Sequence, residues 1–205
     1  MSDPTPWRVL DSRLAYDNAP WLRVHAQRVD TGGGHVLEAF DVLEQPDWIN
    51  VVAVTDAGTV LINRQYRHGV VRVIDELPSG VVDDGETPAE ACLRELREET
   101  GYRFSDCEVV ATYSPNPARV RNTVTGFLAR GGIYEGEQEL DGAEGIAVRE
   151  VSVQVFAAMV RDGRFANAMH QATGWAALAR LRDSVSERQV RESCGLPPPP
   201  QPAAP

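Results

Sequence analysis

A chain of 205 residues, 42 % hydrophobic and 24 % charged, has the make-up of one globular domain able to bury a core. Its formal net charge is −10 and all 20 basic residues are arginine, a balance that argues against non-specific binding to nucleic acid or to an anionic membrane. Cys92, Cys107 and Cys194 form neither a disulfide framework nor a zinc-ligand pattern.

The opening "MSDPTPW" is polar and broken by prolines, unlike a secretory signal, and residues 1–6 are expected to be disordered. From residue 22, "LRVHAQR" alternates apolar and polar side chains with the period of a half-buried strand. "TGGG" at 31–34 is a flexible turn, and "HVLEAFDVL" returns to strand composition. "WINVVAVT" and "TVLINRQY" flank "DAG" at 56–58 as a hairpin, and "VRVIDEL" at 71–77 is a further strand that stops at Pro78. Apolar runs such as "VVAV" at 51–54 are too short to cross a bilayer, so the expectation is a soluble cytoplasmic protein. "CEVVATY" at 107–113 and "NTVTGFLA" at 122–129 are strand-like. Beyond Val153 the texture becomes helical: "VQVFAAMVRDG" closes at Gly163, and "NAMHQATGWAALARLRD" forms a longer helix. "GLPPPPQPAAP" ends the chain as a disordered, Pro-rich tail. The order of elements implies an α+β fold, or a mixed sheet with helices against it.

The segment "GVVDDGETPAEACLRELREETGY", residues 80–102, carries the chemistry. Thr87 is a helix cap, Pro88 suits the first helical position, Glu90 completes a capping box and Gly101 is a C-terminal stop, which predicts a helix over 88–100. At about 100° per residue, Ala89, Leu93, Leu96 and Thr100 share one face, with Cys92 at its edge. Glu95, Glu98 and Glu99 gather on much of the other side, and Arg94 can pair with Glu98 one turn on. Three clustered carboxylates repel unless something positive lies among them. An oxygen-rich stripe of this kind suits a hard divalent cation such as Mg²⁺, which bridges to substrate phosphates.

Gly80, five residues, Glu86, seven residues, then Arg94-Glu95-Leu96-Arg97-Glu98-Glu99-Thr100-Gly101-Tyr102 matches the Nudix box at each defining position. The chain thus resembles the Nudix hydrolase superfamily. That resemblance implies a mixed sheet between helices and a metal-dependent attack on a diphosphate, with Mg²⁺ or Mn²⁺ as cofactor. It makes Glu95 and Glu99 metal ligands, Glu98 a further ligand or a partner that orients water, and the Ser79 carbonyl a contact to the same metals. Glu86 and Arg94 brace the loop and helix.

Gln65-Tyr66-Arg67 and Glu76-Leu77-Pro78-Ser79-Gly80 are similar to the ADP-ribose pyrophosphatase group and its nucleotide-sugar relatives. In that group an N-terminal β segment, here residues 7–50, commonly builds a homodimer and contributes to the nucleoside pocket, ahead of a hydrolase domain at 51–192 and a tail at 193–205. The resemblance makes Arg67 a phosphate contact and Glu76 a carboxylate near the metals; an ion pair at a strand edge is the other reading of both. Trp48 and Phe40 read as core aromatics, with base stacking as the alternative. The four histidines show no ligand spacing and receive no role.

Two departures bear on the substrate. "SPNPARVRN", 114–122, replaces the group's Ser-Pro-Gly-acid sequence and brings Arg119 and Arg121, which either clamp a second phosphate or are solvated. The acidic loop that supplies a general base in the family corresponds to "GEQELDGAEGIAV", 136–148, where Glu144 aligns best with Glu139 behind it; Glu98 is the alternative base. The first expectation is hydrolysis of ADP-ribose to AMP and ribose 5-phosphate. GDP-mannose or another sugar nucleotide, a damaged nucleoside triphosphate, and binding of ADP-ribose without cleavage are the alternatives.

Overall fold

The computed structural model describes residues 3, 5–142 and 145–193, and two sheets account for its β structure. β1 (Arg8–Asn18), β2 (Leu22–Asp30) and β3 (Val36–Glu44) form an antiparallel three-stranded sheet, with the glycine turn between β2 and β3 closed by Thr31 N–H donating to His35 O. Every residue of β1 is exposed, including Val9, Leu14 and Tyr16.

The second sheet has eight strands: β4 (Trp48–Thr55), β5 (Thr59–Arg67), β6 (Arg72–Glu76), β7 (Ser79–Val81), β8 (Tyr102–Arg103), β9 (Cys107–Tyr113), β10 (Val124–Tyr134) and β11 (Ile146–Ser152). Its path is β11-β5-β4-β10-β8, with β6 beside β5, β7 beside β4 and β9 beside β10. β4 and β10 run parallel and the other pairs antiparallel, which makes the sheet mixed.

Alternation along β4 divides the core into two layers. Ile49, Val51 and Ala53 face α1 (Pro88–Thr100), where Ala91, Cys92 and Leu96 meet Leu61 and Phe127. Val52 faces the opposite side, with Val60, Ile62 and Leu128, toward Phe156 and Val160 of α2 (Val153–Arg161) and Ala177 of α3 (Ala168–Ser193). The α+β architecture expected from the sequence is the one observed. α3 runs ten residues past the expected end, because no glycine or proline follows Asp183 before Gly195.

One helical face departs from expectation. Ala89, in the exposed first turn, is not buried, whereas Ala91 and Glu99 are. Glu99 can lie against the sheet because polar partners receive it there. Glu144 and the Pro-rich stretch from Cys194 onward lie outside the described residues. Among the described residues no helix is long and apolar enough to cross a membrane.

Candidate active site

Local signals set the position of α1. The Thr87 side chain accepts from the Glu90 N–H, the Glu90 carboxylate accepts from the Thr87 N–H at 2.8 Å, and Gly101 closes the helix at φ 72° with its N–H donating to Arg97 O. β7 enters beside it through Gly80. A Cβ at Gly80 would stand 1.9 Å from Glu95 Cδ, so only glycine lets the Glu95 carboxylate rest against this strand.

Arg94 braces the loop to the helix. Its Nε and Nη2 donate to the two oxygens of Glu86 at 2.9 and 3.0 Å, and Nη2 also donates to Val81 O at 2.9 Å. Its Nη1 donates to Glu95 at 2.8 Å and to Glu98 at 3.0 Å. The guanidinium therefore supplies positive charge between two of the clustered carboxylates. Arg94 holds the Glu86 carboxyl below the ordinary carboxylate range, and Glu86, ahead of Glu95 and Glu98, raises the pKa of Arg94.

Glu99 is held in part by a backbone N–H and a side-chain amide. It is 4 % exposed, and its Oε2 accepts from the Ser79 N–H at 2.8 Å and from Asn63 Nδ2 at 2.9 Å. Glu76, 3 % exposed, accepts from Arg67 Nε at 2.6 Å, so the strand-edge ion pair is made. Glu76, Glu95, Glu98 and Glu99, with Arg67 and Arg94, border one cavity of about 850 Å³, together with Trp21, Trp48 and His170. The cavity thus gathers Arg67, Glu76, Ser79, Gly80, Arg94, Glu95, Glu98 and Glu99 from the sequence-predicted set.

The acidic loop closes one side. Glu139 N–H donates to Glu98 O at 2.8 Å, the Gln138 amide reaches Glu99 O, and Arg97 Nη2 pairs with Glu139 at 2.7 Å. Glu139 and Asp141 both border the cavity.

Arg119 and Arg121 stand elsewhere. Arg119 lies over the Phe40 ring at 4.7 Å and donates to Asp41 O at 3.2 Å, while Arg121 pairs with Glu44 at 3.7 Å. Backbone bonds from Leu43 N–H to Arg119 O and from Arg121 N–H to Leu43 O bind their loop to β3. They fasten the small sheet to the large one and do not border the cavity. Phe40 packs edge-on against Trp7, away from the cavity that Trp48 borders.

Among the described residues, no three histidine, cysteine, aspartate or glutamate side chains converge at coordination distance. The donor set of Glu95, Glu98 and Glu99 is nonetheless all oxygen, the chemistry a hard divalent cation takes. Sequence reasoning did not single out Asn63, Asp141 or His170. Asn63 interrupts the apolar run Val60-Leu61-Ile62, and a lone amide in a buried strand was the available signal.

A family model described as NUDIX domain matches residues 46–170. An ADP-ribose pyrophosphatase of Bacillus subtilis is 34 % identical over 115 residues, 56 % of this chain and 62 % of that protein. An ADP-ribose pyrophosphatase of Mycobacterium tuberculosis is 37 % identical over 101 residues, 49 % of this chain and 48 % of that one. The chain thus matches about half to three-fifths of the length of these relatives. A CMP-5'-(N-acetyl-N-hydroxy-3-aminopropyl)phosphonate hydrolase of Streptomyces rubellomurinus is 31 % identical over 161 residues, 77 % of this chain and 75 % of that protein. A crystal structure of an ADP compounds hydrolase superposes with a TM-score of 0.78 at 17 % identity, covering 90 % of this chain and 98 % of that one, a likeness of fold.

Proposed function

The chain belongs to the NUDIX domain family, and on that premise we propose that it hydrolyses the diphosphate of a nucleoside diphosphate sugar, ADP-ribose first, to AMP and ribose 5-phosphate. The observation that carries this reading is the cavity itself. It unites the carboxylates of Glu95, Glu98 and Glu99 with the Arg67 guanidinium and two tryptophans, a pole for paired phosphates beside apolar surface. The ADP-ribose pyrophosphatases among the relatives support the choice of substrate.

Mg²⁺ or Mn²⁺ held by Glu95, Glu98 and Glu99 would supply neutralisation of the diphosphate and activation of water. The chain's own groups do the rest. Ser79 N–H and Asn63 fix one oxygen of Glu99 and so orient the carboxylate. Arg94 holds the loop and helix together and balances Glu95 and Glu98. Arg67, tied to Glu76, presents its remaining N–H groups toward a phosphate. A base that takes the proton of the attacking water comes from the acidic loop, where Glu139 and Asp141 border the cavity and Glu144 follows, or from Glu98.

The exposed apolar side chains of β1, Trp7 before it and Trp21 after it, support a homodimer through the small sheet. A second substrate reading comes from the Streptomyces relative, whose match spans most of both chains. It replaces the sugar diphosphate with a CMP–phosphonate anhydride. One panel decides between them: ADP-ribose, GDP-mannose, a CMP-linked phosphonate and an oxidised dGTP, each with Mg²⁺. AMP and ribose 5-phosphate as the fastest products are expected, and no turnover of any sugar nucleotide would remove the proposal.

A further inference from the structure

Leu77 and Pro78 connect two parts of the cavity wall: Glu76, paired with Arg67, and Ser79, whose N–H holds Glu99. Pro78 has no N–H, and its carbonyl accepts from Val51 N–H. The Leu77 N–H finds its acceptor in a side chain 93 residues away, His170 Nδ1, at 3.1 Å. His170 is 1 % exposed in the first turn of α3, with the Trp48 ring 5.7 Å off.

Close packing brings it there. A Cβ at Gly126 of β10 would stand 2.4 Å from Thr173 Oγ1, and one at Gly174 of α3 would stand 2.7 Å from Val160 Cγ2. Glycine at both positions lets α3 approach the sheet and α2 closely enough for its first turn to reach the connector. Because Nδ1 accepts, the proton of the neutral imidazole resides on Nε2. Burial, then the nearby Arg67 charge, lowers the pKa of the ring to about 3, so it is neutral wherever the protein is active near neutrality.

We propose that His170 is a positioning residue of this site: a single-tautomer imidazole that fixes the Leu77–Ser79 connector and, through it, the Ser79 N–H that orients Glu99. Its hydrogen bond goes to the connector, at the Leu77 N–H. Only the kinetic part of its test rests on the function proposed above.

Three readouts test it. In the wild type, ¹⁵N correlation spectra of the imidazole should show the Nε2–H tautomer and no titration near 6.5. In metal-free protein, His170→Phe, which keeps the ring and removes the acceptor, should speed amide exchange at Leu77 and Ser79. His170→Asn, which returns an oxygen acceptor near the place of Nδ1, should restore protection. With substrate and Mg²⁺, His170→Phe should lower kcat about ten- to a hundredfold with KM changed less than about twofold, and His170→Asn should recover most of the loss. An Nδ1–H tautomer, unchanged exchange at Ser79, or equal impairment of both variants would overturn the proposal. A wild type that turns over no sugar nucleotide, yet shows the exchange response, would remove the proposed function and leave this role of His170 standing.

Discussion

The root and the rim of the cavity hold carboxylates in different ways. At the root, Glu99 is buried and its Oε2 accepts from the Ser79 N–H and the Asn63 amide. At the rim, Glu98 and Glu139 are partly open to solvent and share their surroundings with Arg94 and Arg97. A carboxylate buried among fixed donors is held in one orientation, whereas an exposed one beside a guanidinium is free to rearrange with it. The root therefore sets geometry, and the rim sets access.

That contrast is tested most severely at its centre. Glu99→Gln preserves the shape and places an amide beside Asn63 and Ser79, so turnover should fall at least about a hundredfold. A steady-state assay over a range of Mg²⁺ concentrations would show whether excess metal restores it, and full restoration would weaken the assignment. Asn63→Ala, which keeps the charge and removes one donor, should cost about ten- to a hundredfold in kcat or metal affinity. An unimpaired Asn63→Ala enzyme would mean that the Asn63 amide is not needed to orient the carboxylate.

Acid should loosen the root at higher pH than the Arg94–Glu86 brace. The pKa of His170 is lowered from 6.5 to about 3 on folding, so between those values the unfolded chain binds a proton that the folded chain does not. Stability attributable to this residue is complete above 6.5 and declines as pH falls, by about 2 kcal/mol at pH 5. The Glu86 carboxyl, held low by Arg94, keeps its contribution down to about 4.5 and loses it below, as pH drops through its folded value. Urea unfolding at pH 7.5, 6 and 5 should show the first decline in the wild type and a flatter profile in His170→Phe. The smallest effect is expected at the rim. Arg97 and Glu139 are each more than half exposed, so Arg97→Ala should change stability by less than about 1 kcal/mol. A large loss there would show that the acidic loop depends on this pair and that the rim does more than admit substrate.

The parts legible in the sequence were those whose causes are local. Thr87, Pro88, Glu90 and Gly101 fixed the ends of α1 because capping depends on residues a few positions apart. The requirement for Gly80 followed from its place in the motif, and the structure supplies the reason in the Glu95 carboxylate against it. What was hidden depends on distant pairing. Asn63 meets Glu99 across 36 residues and His170 meets Leu77 across 93, separations that carry no periodic signal. The burial of Glu99 was hidden for the same reason, since its donors Asn63 and Ser79 come from strands β5 and β7. Arg119 and Arg121 read as phosphate clamps or as solvated side chains; the backbone of their loop pairs with β3, with Arg119 over Phe40 and Arg121 beside Glu44.

The central claim is that the carboxylates of α1 grip a divalent cation at the cavity. Titration of Mn²⁺ into the substrate-free protein, followed by electron paramagnetic resonance, tests it directly when wild type is set beside Glu95→Gln/Glu98→Gln/Glu99→Gln. The account predicts saturable loss of the free Mn²⁺ signal with the wild type and none with the triple variant. Equal binding by both proteins, or no binding by the wild type, would contradict it.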